Sequence, residues 1–431
     1  MRVTNNLIYG QSSQAISKAN DRYMDINKKI SEQTSIVKPS DNPVGTGQVL
    51  QYENSTSQLK QYDGNMKMAK SHLEYEEVAL DSLNGLLDDA RTLFIQAENT
   101  ANTQDDLNAI TEQVSKMVDS MADLMNSKSA DGSYIFAGTD IKSPAFTLRP
   151  DGRYDWTGNE GQKFAQISEN RKIPINDTGK QLFQDVWTRN NFTATLLAGN
   201  VSLSAKVHDE GDFDNFLSKN YSATSGVANN FVLTTVPLGG TADAQAANAE
   251  LPPQDGSKVP FYGGPPGQYS LTDSAGNVVS SGVYEPNQPL IINGMSFVIK
   301  GAPGAAIEVS LNPPKRDNVL NQLNDAIAVL RDKTATPDEK EAAFHDAQVS
   351  VVNTQTSIGE GRSAVGSRLN TLTERGDFSS ANQLSNIMAQ DRVAGLDMGS
   401  AATELSMAES ALTSSQKLFS RVSNLSLFNK I

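Results

Sequence analysis

Three histidines, His72, His208 and His345, are the first residues to weigh for chemistry. Imidazole titrates near neutral pH and ligates metals. These three are far apart in sequence, and none stands in an HxxxH or HExxH spacing that would put two ligands on one helix face. The run Asp209-Glu-Gly-Asp212-Phe-Asp214 offers carboxylate oxygens of the kind calcium prefers. It lacks the spacing of an EF-hand loop, and a solvated turn accounts for it. Ser35-Ile-Val-Lys38 and Ser40-Asp-Asn42 spell two motifs of the penicillin-binding enzymes. They sit together at a helix break and no Lys-Thr-Gly follows, so helix capping is the better account. Gly359-Glu-Gly361-Arg-Ser-Ala-Val-Gly366 lacks the Lys-Ser/Thr ending and the preceding strand of a phosphate loop, which leaves a joint between helices. Arg375-Gly376-Asp377 spells an integrin-type tripeptide by chance inside a helical pattern. The helical stripes hold no inward Glu-x-x-His set for a four-helix cofactor box. No catalytic residue, cofactor site or metal ligand is assigned, and the expectation is a protein that is not an enzyme.

Composition narrows the function classes further. A chain of 431 residues is long enough for two or three domains. Its net charge of −14, without Lys/Arg clusters, argues against nucleic acid as a partner. There is no cysteine, so disulfides and thiolate chemistry are excluded. The opening Met1-Arg-Val-Thr-Asn-Asn has no apolar stretch, so a cleaved secretory signal is not expected, and no apolar run is long enough to insert in a membrane. Export, if it occurs, needs another route.

The elements that organise the chain lie at its ends. Met398, Ala401, Leu405, Ala408, Leu412, Ser415, Phe419 and Val422 step alternately by three and four, as a heptad seam does. Thr403, Glu404, Glu409, Ser410, Lys417 and Arg421 make the other face wet. Ile16, Ala19, Tyr23, Ile26, Ile30, Gln33 and Val37 repeat the rhythm at the N-terminus. A stripe this narrow, padded with Ala and Ser, cannot bury itself alone. The two ends are therefore expected to pair as a coiled coil and to rely on neighbours.

Between the ends, a helix over about Gln11–Ser35 is expected to stop at Lys38-Pro-Ser-Asp-Asn-Pro43, where proline forbids continuation and Ser40, Asp41 and Asn42 can cap. A very long helix follows over Pro43–Ala97, its apolar stripe broken by one polar residue, Glu76. Leu107 to Leu124 marks a third helix. From Tyr134 to about Pro314 the period falls to two, with strands expected at Tyr134–Ala137, Arg153–Trp156, Phe164–Ile167, Val201–Val207, Phe231–Val236, Tyr269–Thr272, Val278–Tyr284, Ser296–Ile299 and Ile307–Leu311. Gly239 to Pro266 reads as a long loop. Helices resume at Lys315. The expected class is α+β: an antiparallel helical rod made from both chain ends, with a β-rich domain inserted. Its divisions are 1–40 with 390–431 as the terminal coiled coil, 41–133 with 315–389 as the rod, and 134–314 as the outer domain. Within the last, 191–284 is a candidate extra subdomain.

Met1-Arg-Val-Thr4, Lys38-Pro-Ser-Asp-Asn-Pro-Val44, Asp131-Gly-Ser-Tyr-Ile-Phe-Ala-Gly138 and Ser420-Arg-Val-Ser-Asn-Leu-Ser-Leu-Phe428 together resemble the flagellin superfamily, most closely its hook–filament junction branch. Asn42 stands where that family usually has Asp, and Asn429-Lys430-Ile431 departs from its aromatic ending. The resemblance covers about 1–190 and 285–431; the stretch 191–284 matches nothing nameable. It implies a structural protein of the extracellular bacterial flagellum, exported through the flagellar type III apparatus without a cleaved signal. The implied partners are its own copies in a ring, hook-associated protein 1 on the hook side, flagellin on the filament side and an export chaperone. The expected assembly surface is Ile16, Tyr23, Ile26, Ile30, Leu405, Leu412, Phe419 and Val422 of the seams, with Leu425, Leu427 and Phe428 of the terminal motif. The alternative within the family is flagellin itself. A different class, a glycan-binding or hydrolytic module at 191–284, is disfavoured by few aromatics and no paired acids.

Overall fold

The computed structural model describes residues 2–99, 101–224, 229–237 and 266–428, with side chains placed from Leu7 to Arg421 within those spans. In chain order the helices are α1 (Arg2–Glu32), α2 (Pro43–Ala97), α3 (Gln104–Met125), α4 (Glu210–Asn220), α5 (Val319–Arg331), α6 (Pro337–Ala394) and α7 (Met398–Phe428). The strands are β1 (Phe146–Leu148), β2 (Tyr154–Trp156), β3 (Phe164–Ser168), β4 (Arg171–Pro174), β5 (Val186–Trp187), β6 (Phe192–Ala198), β7 (Ser202–Val207), β8 (Asn230–Pro237), β9 (Gly267–Thr272), β10 (Val278–Tyr284), β11 (Pro289–Ile292), β12 (Met295–Lys300), β13 (Ala306–Leu311) and β14 (Arg316–Asp317). Long helices from both chain ends and a central β-rich region make the fold α+β, as the periodicities predict. The chain falls into two compact units. Met1–Ser71, Phe164–Ile175 and Gly366–Ile431 form the first; His72–Lys163 and Asn176–Val365 form the second.

The second unit has a helical body built from the 3–4 stripes. Leu80, Leu83, Leu87, Ala90 and Phe94 of α2 are fully buried, with Val114 and Met121 of α3, Leu320, Leu323 and Leu330 of α5, and Ala347, Val351 and Ile358 of α6. Glu76, the polar interruption of the α2 stripe, is buried too: its Oε1 accepts the Asp177 backbone N–H at 2.9 Å. A carboxylate at that point ties the 176–178 loop to the helix where a leucine would leave the N–H without a partner. Phe136, Phe146 and Phe183 extend the core, their rings in edge-on contact at 5.2 and 6.2 Å.

The predicted strand Tyr134–Ala137 does not form. Asp131 organises that exit instead, its Oδ1 accepting the Ser133 N–H and the hydroxyls of Ser129 and Ser133. Those donors hold its carboxyl well below the usual range, with a smaller pull from His72, whose Nε2 stands 3.6 Å from Oδ2. Nor is there a helix joint at Gly359–Gly366, since α6 runs through it. The glycine has a packing reason, because a Cβ on Gly361 would come within 2.8 Å of Leu182.

The rest of the second unit is a β module. One antiparallel sheet has the order β10-β9-β8-β13-β6 and a smaller one β11-β12-β7. Alternation along β13 buries Ile307, Val309 and Leu311. Those side chains meet Phe213, Leu233, Leu271 and Phe297 in a core of their own. Asn293-Gly294 makes a tight turn, both residues at positive φ. A Cβ at Gly294 would sit 2.4 Å from the Phe213 nitrogen, so only glycine lets the turn seat on α4. Strands on both sides of residue 284 share this core. All but Pro266 of the expected loop Gly239–Pro266 lies outside the described residues.

Candidate assembly surface of the terminal helices

The first unit is built on α1 and α7, which pack against each other. Contacts at both ends of the pair set an antiparallel register. Tyr9 and Phe419 meet with ring centroids 5.0 Å apart, while the Ser35 N–H donates to the Ala394 carbonyl at 2.7 Å and Thr34 bridges Gly395. The helix begins earlier than its apolar rhythm, at Arg2, and ends earlier, at Glu32, where Gln33 turns to positive φ and breaks the run.

Capping chemistry shapes the corner that follows. Asp41 Oδ2 accepts the N–H groups of Val37 and Lys38 at 3.1 and 3.0 Å, which lowers its pKa, and Asn42 Oδ1 accepts from Gly45 at 2.9 Å to open α2. Lys38 pairs with Asp25 at 3.2 Å. Ser35 is thus engaged with Ala394 and Lys38 with Asp25 and Asp41, while Asp41 and Asn42 supply the capping oxygens of the break. Asp397 opens α7 by accepting from Gly399 at 3.0 Å. Asn386 Nδ2 donates to Ser55 Oγ at 3.0 Å, and Asn65 Nδ2 reaches the Gln166 carbonyl of the β3–β4 hairpin at 2.9 Å.

The seam positions within 16–30 and 401–419 are the shielded ones, yet most are only half-covered, and Met398, which opens the C-terminal seam, is 50% exposed. Ile26, Ala401 and Ala408 are buried; Ile16, Tyr23, Ile30, Leu405, Leu412 and Phe419 are half-buried. Val422, Leu425, Leu427 and Phe428 lie on the α7 helix, with side chains outside the described residues. Sequence reasoning treated the other face of α7 as wet and missed a second stripe. Met407, Ala411, Ser414 and Leu418 step by four, three and four beside the seam, and Met407 and Leu418 are 60% and 59% exposed. Their spacing was the available signal. Leu384, Ile387 and Met388 on α6 are exposed, as are Met24 on α1 and Leu50 and Met68 on α2. These exposed apolar side chains all lie on the first unit.

The residues singled out for chemistry take structural places. Asp209 caps α4, accepting the Asp212 N–H at 2.9 Å, so the acidic run is a helix start. His208 and His345, distant in sequence, line one cleft of the second unit. The Arg375 guanidinium rests over the Phe378 ring inside α6. Among the described residues, no group of three or more His, Asp or Glu side chains is placed to hold a metal ion, and no helix is long and apolar enough to cross a membrane.

The chain resembles known proteins in sequence and fold. Residues 3–140 match the model of the bacterial flagellin N-terminal helical region. Over 186 residues the chain is 24% identical to flagellar hook-associated protein 3 of Salmonella typhimurium, a stretch covering 43% of this chain and 58% of that protein. The protein of that name from Escherichia coli K12 matches with the same identity and coverage. The chain therefore spans 58% of the length of the curated relatives it matches. Among solved structures, flagellar hook associated protein-3 of Legionella pneumophila superposes with a TM-score of 0.56 at 20% identity, covering 80% of this chain and 98% of that one. FlgL of Xanthomonas campestris gives 0.54 at 19% identity, covering 79% and 99%. Residues 3–140 thus resemble the flagellin N-terminal helical region, and the fold is similar to that of solved hook-associated proteins.

Proposed function

We propose that this chain is a structural adaptor of the bacterial flagellum, joining the hook side to the flagellin filament as a ring of its own copies. The observation that carries the reading is the α1–α7 pair: its seam is half-covered, and a second stripe, Met407 to Leu418, stays open to solvent. A helix pair with apolar stripes on two faces is suited to a wall of like helices. The names carried by the curated relatives favour the junction position over flagellin itself. On this reading hook-associated protein 1 and flagellin are its neighbours, a flagellar export chaperone binds it before secretion, and export uses the flagellar type III route. It acts by assembly and performs no catalysis. The expected domain roles are a terminal coiled coil (1–40 with 390–431), a helical middle (41–133 with 315–389) and an outer β domain (134–314). Deleting the gene and imaging the cells tests the proposal. Hooks without filaments, with flagellin shed to the medium, are expected; filaments still attached would overturn it.

A further inference from the structure

The β module of the second unit hangs on a narrow neck. Both chain connections run side by side: β5 pairs with β14, the Thr188 N–H donates to the Lys315 carbonyl at 3.0 Å, and Asn312 donates to Asn191 through backbone at 3.2 Å and side chain at 2.6 Å. Among the described residues, the module's apolar core and that of the helical body share no residue. Between them opens a cleft of about 940 Å³, lined by His208, Phe213 and Tyr221 on one wall and by Arg91, His345 and Val352 on the other.

Beyond the neck, the contacts across this gap that fix the module to α6 are polar. Ser204 Oγ donates to Asp338 at 3.0 Å. Lys206 Nζ holds both oxygens of Glu341 at 2.8 and 2.7 Å. Arg189 reaches Asp346 at 3.4 Å while its Nε holds Glu210 at 2.9 Å. The three acceptors Asp338, Glu341 and Asp346 lie along the first turns of one helix, so they form a row. Lys206 and Glu341 are 40% and 41% exposed, so water and salt compete with the pair. Arg189, by contrast, is only 10% exposed. An interface held by polar pairs, one of them open to water, and with no apolar core shared among the described residues, allows one body to rotate on another.

We propose that the row Asp338–Glu341–Asp346 is an electrostatic latch that sets the angle of the β module on its two-stranded neck, and that releasing it lets the module swing and the cleft widen. The module then adjusts its pose without unfolding, because its core is complete in itself. This goes beyond the adaptor reading and is tested on the isolated monomer, so either can fail alone.

The full chain has no cysteine, so Lys219→Cys on α4 and Thr356→Cys on α6 give two unique spin-label sites. Pulsed dipolar spectroscopy at low ionic strength should give one narrow distance distribution. Glu341→Gln with Asp346→Asn, both on the helix and outside the module's core, should broaden it and shift it outward. Salt at about 1 M, where screening acts within about 3 Å, should do the same. Lys116→Gln, which breaks a surface pair elsewhere, is the control and should leave it unchanged. A distribution that stays narrow in the latch variant and in high salt overturns the proposal. So does one already broad in the native chain at low salt. Near-UV circular dichroism separates release from unfolding: loss of the module's tertiary signal in the latch variant also overturns the proposal, because it makes the row part of the core.

Discussion

Met407→Gln combined with Leu418→Gln separates assembly from folding. Glutamine keeps helix propensity close to that of the residues replaced. The side chains are 60% and 59% exposed, so the monomer loses little, and its thermal transition should move by no more than about 0.5 kcal/mol of stability. In an assembled wall the open three-fifths of each would be covered. Full burial of such a side chain contributes about 1.5–3 kcal/mol, so about 1–2 kcal/mol for each and about 2–4 kcal/mol for the pair is at stake per subunit. That corresponds to a roughly 30- to 1,000-fold weaker association at each position in the ring. The assay is filament retention by electron microscopy and swimming motility, with export of the variant matched to the native chain in culture medium. Filaments retained at native frequency, at equal export, would refute the reasoning. A large fall in monomer stability would also refute it, since the stripe would then belong to the monomer's own core.

Other outcomes follow from particular contacts. Glu76→Ala leaves the buried Asp177 N–H without its acceptor and should cost about 2–4 kcal/mol, read from the denaturant midpoint, with Glu76→Gln milder; an unchanged midpoint in the alanine variant contradicts the tie. Asp131 has a folded pKa below its unfolded one, so its stabilisation is present above the unfolded value and is lost as pH falls through the folded one. The stability gap between native chain and Asp131→Asn should therefore be flat between about pH 6 and 8 and close only in acid, below about pH 4; a gap that instead closes on raising the pH contradicts the assignment. Replacing 192–311 by a short Gly/Ser linker, across ends already bonded through Asn191 and Asn312, should leave the helical body folded and filaments attached, judged by circular dichroism and microscopy. Bald hooks with normal export of the shortened chain would put the module in the junction itself.

Much of this architecture is legible because helical periodicity repeats over many turns. The α2 stripe from Leu59 to Ala97 and the seam from Ala401 to Phe419 coincide with the shielded positions of their helices. Short signals fail where a side chain imitates secondary structure. Tyr134–Ala137 alternates like a strand, but the Asp131 turn claims the preceding backbone donor. Glycines misled at 359–366, where Gly361 answers to the neighbouring Leu182 and marks no joint. The stripe Met407–Leu418 was hidden because two of its members are Ala and Ser, which look wet beside Glu409 and Ser410. Which of two adjacent stripes α1 covers depends on the antiparallel register set by Tyr9–Phe419 and Ser35–Ala394, contacts between residues some 360 to 410 apart in sequence.

The central claim, that the terminal helix pair carries the assembly surface, is tested most directly by comparing two double variants of α7 in cells. Leu412→Ala with Phe419→Ala cuts into the half-buried seam, where truncating a buried Leu or Phe costs about 2–5 kcal/mol. Glu409→Ala with Lys417→Ala changes exposed residues on the same helix, where the cost stays within about 0.5 kcal/mol. With export confirmed for both, the account expects bald hooks in the first strain and attached filaments in the second. Equal filament retention in the two strains would contradict it.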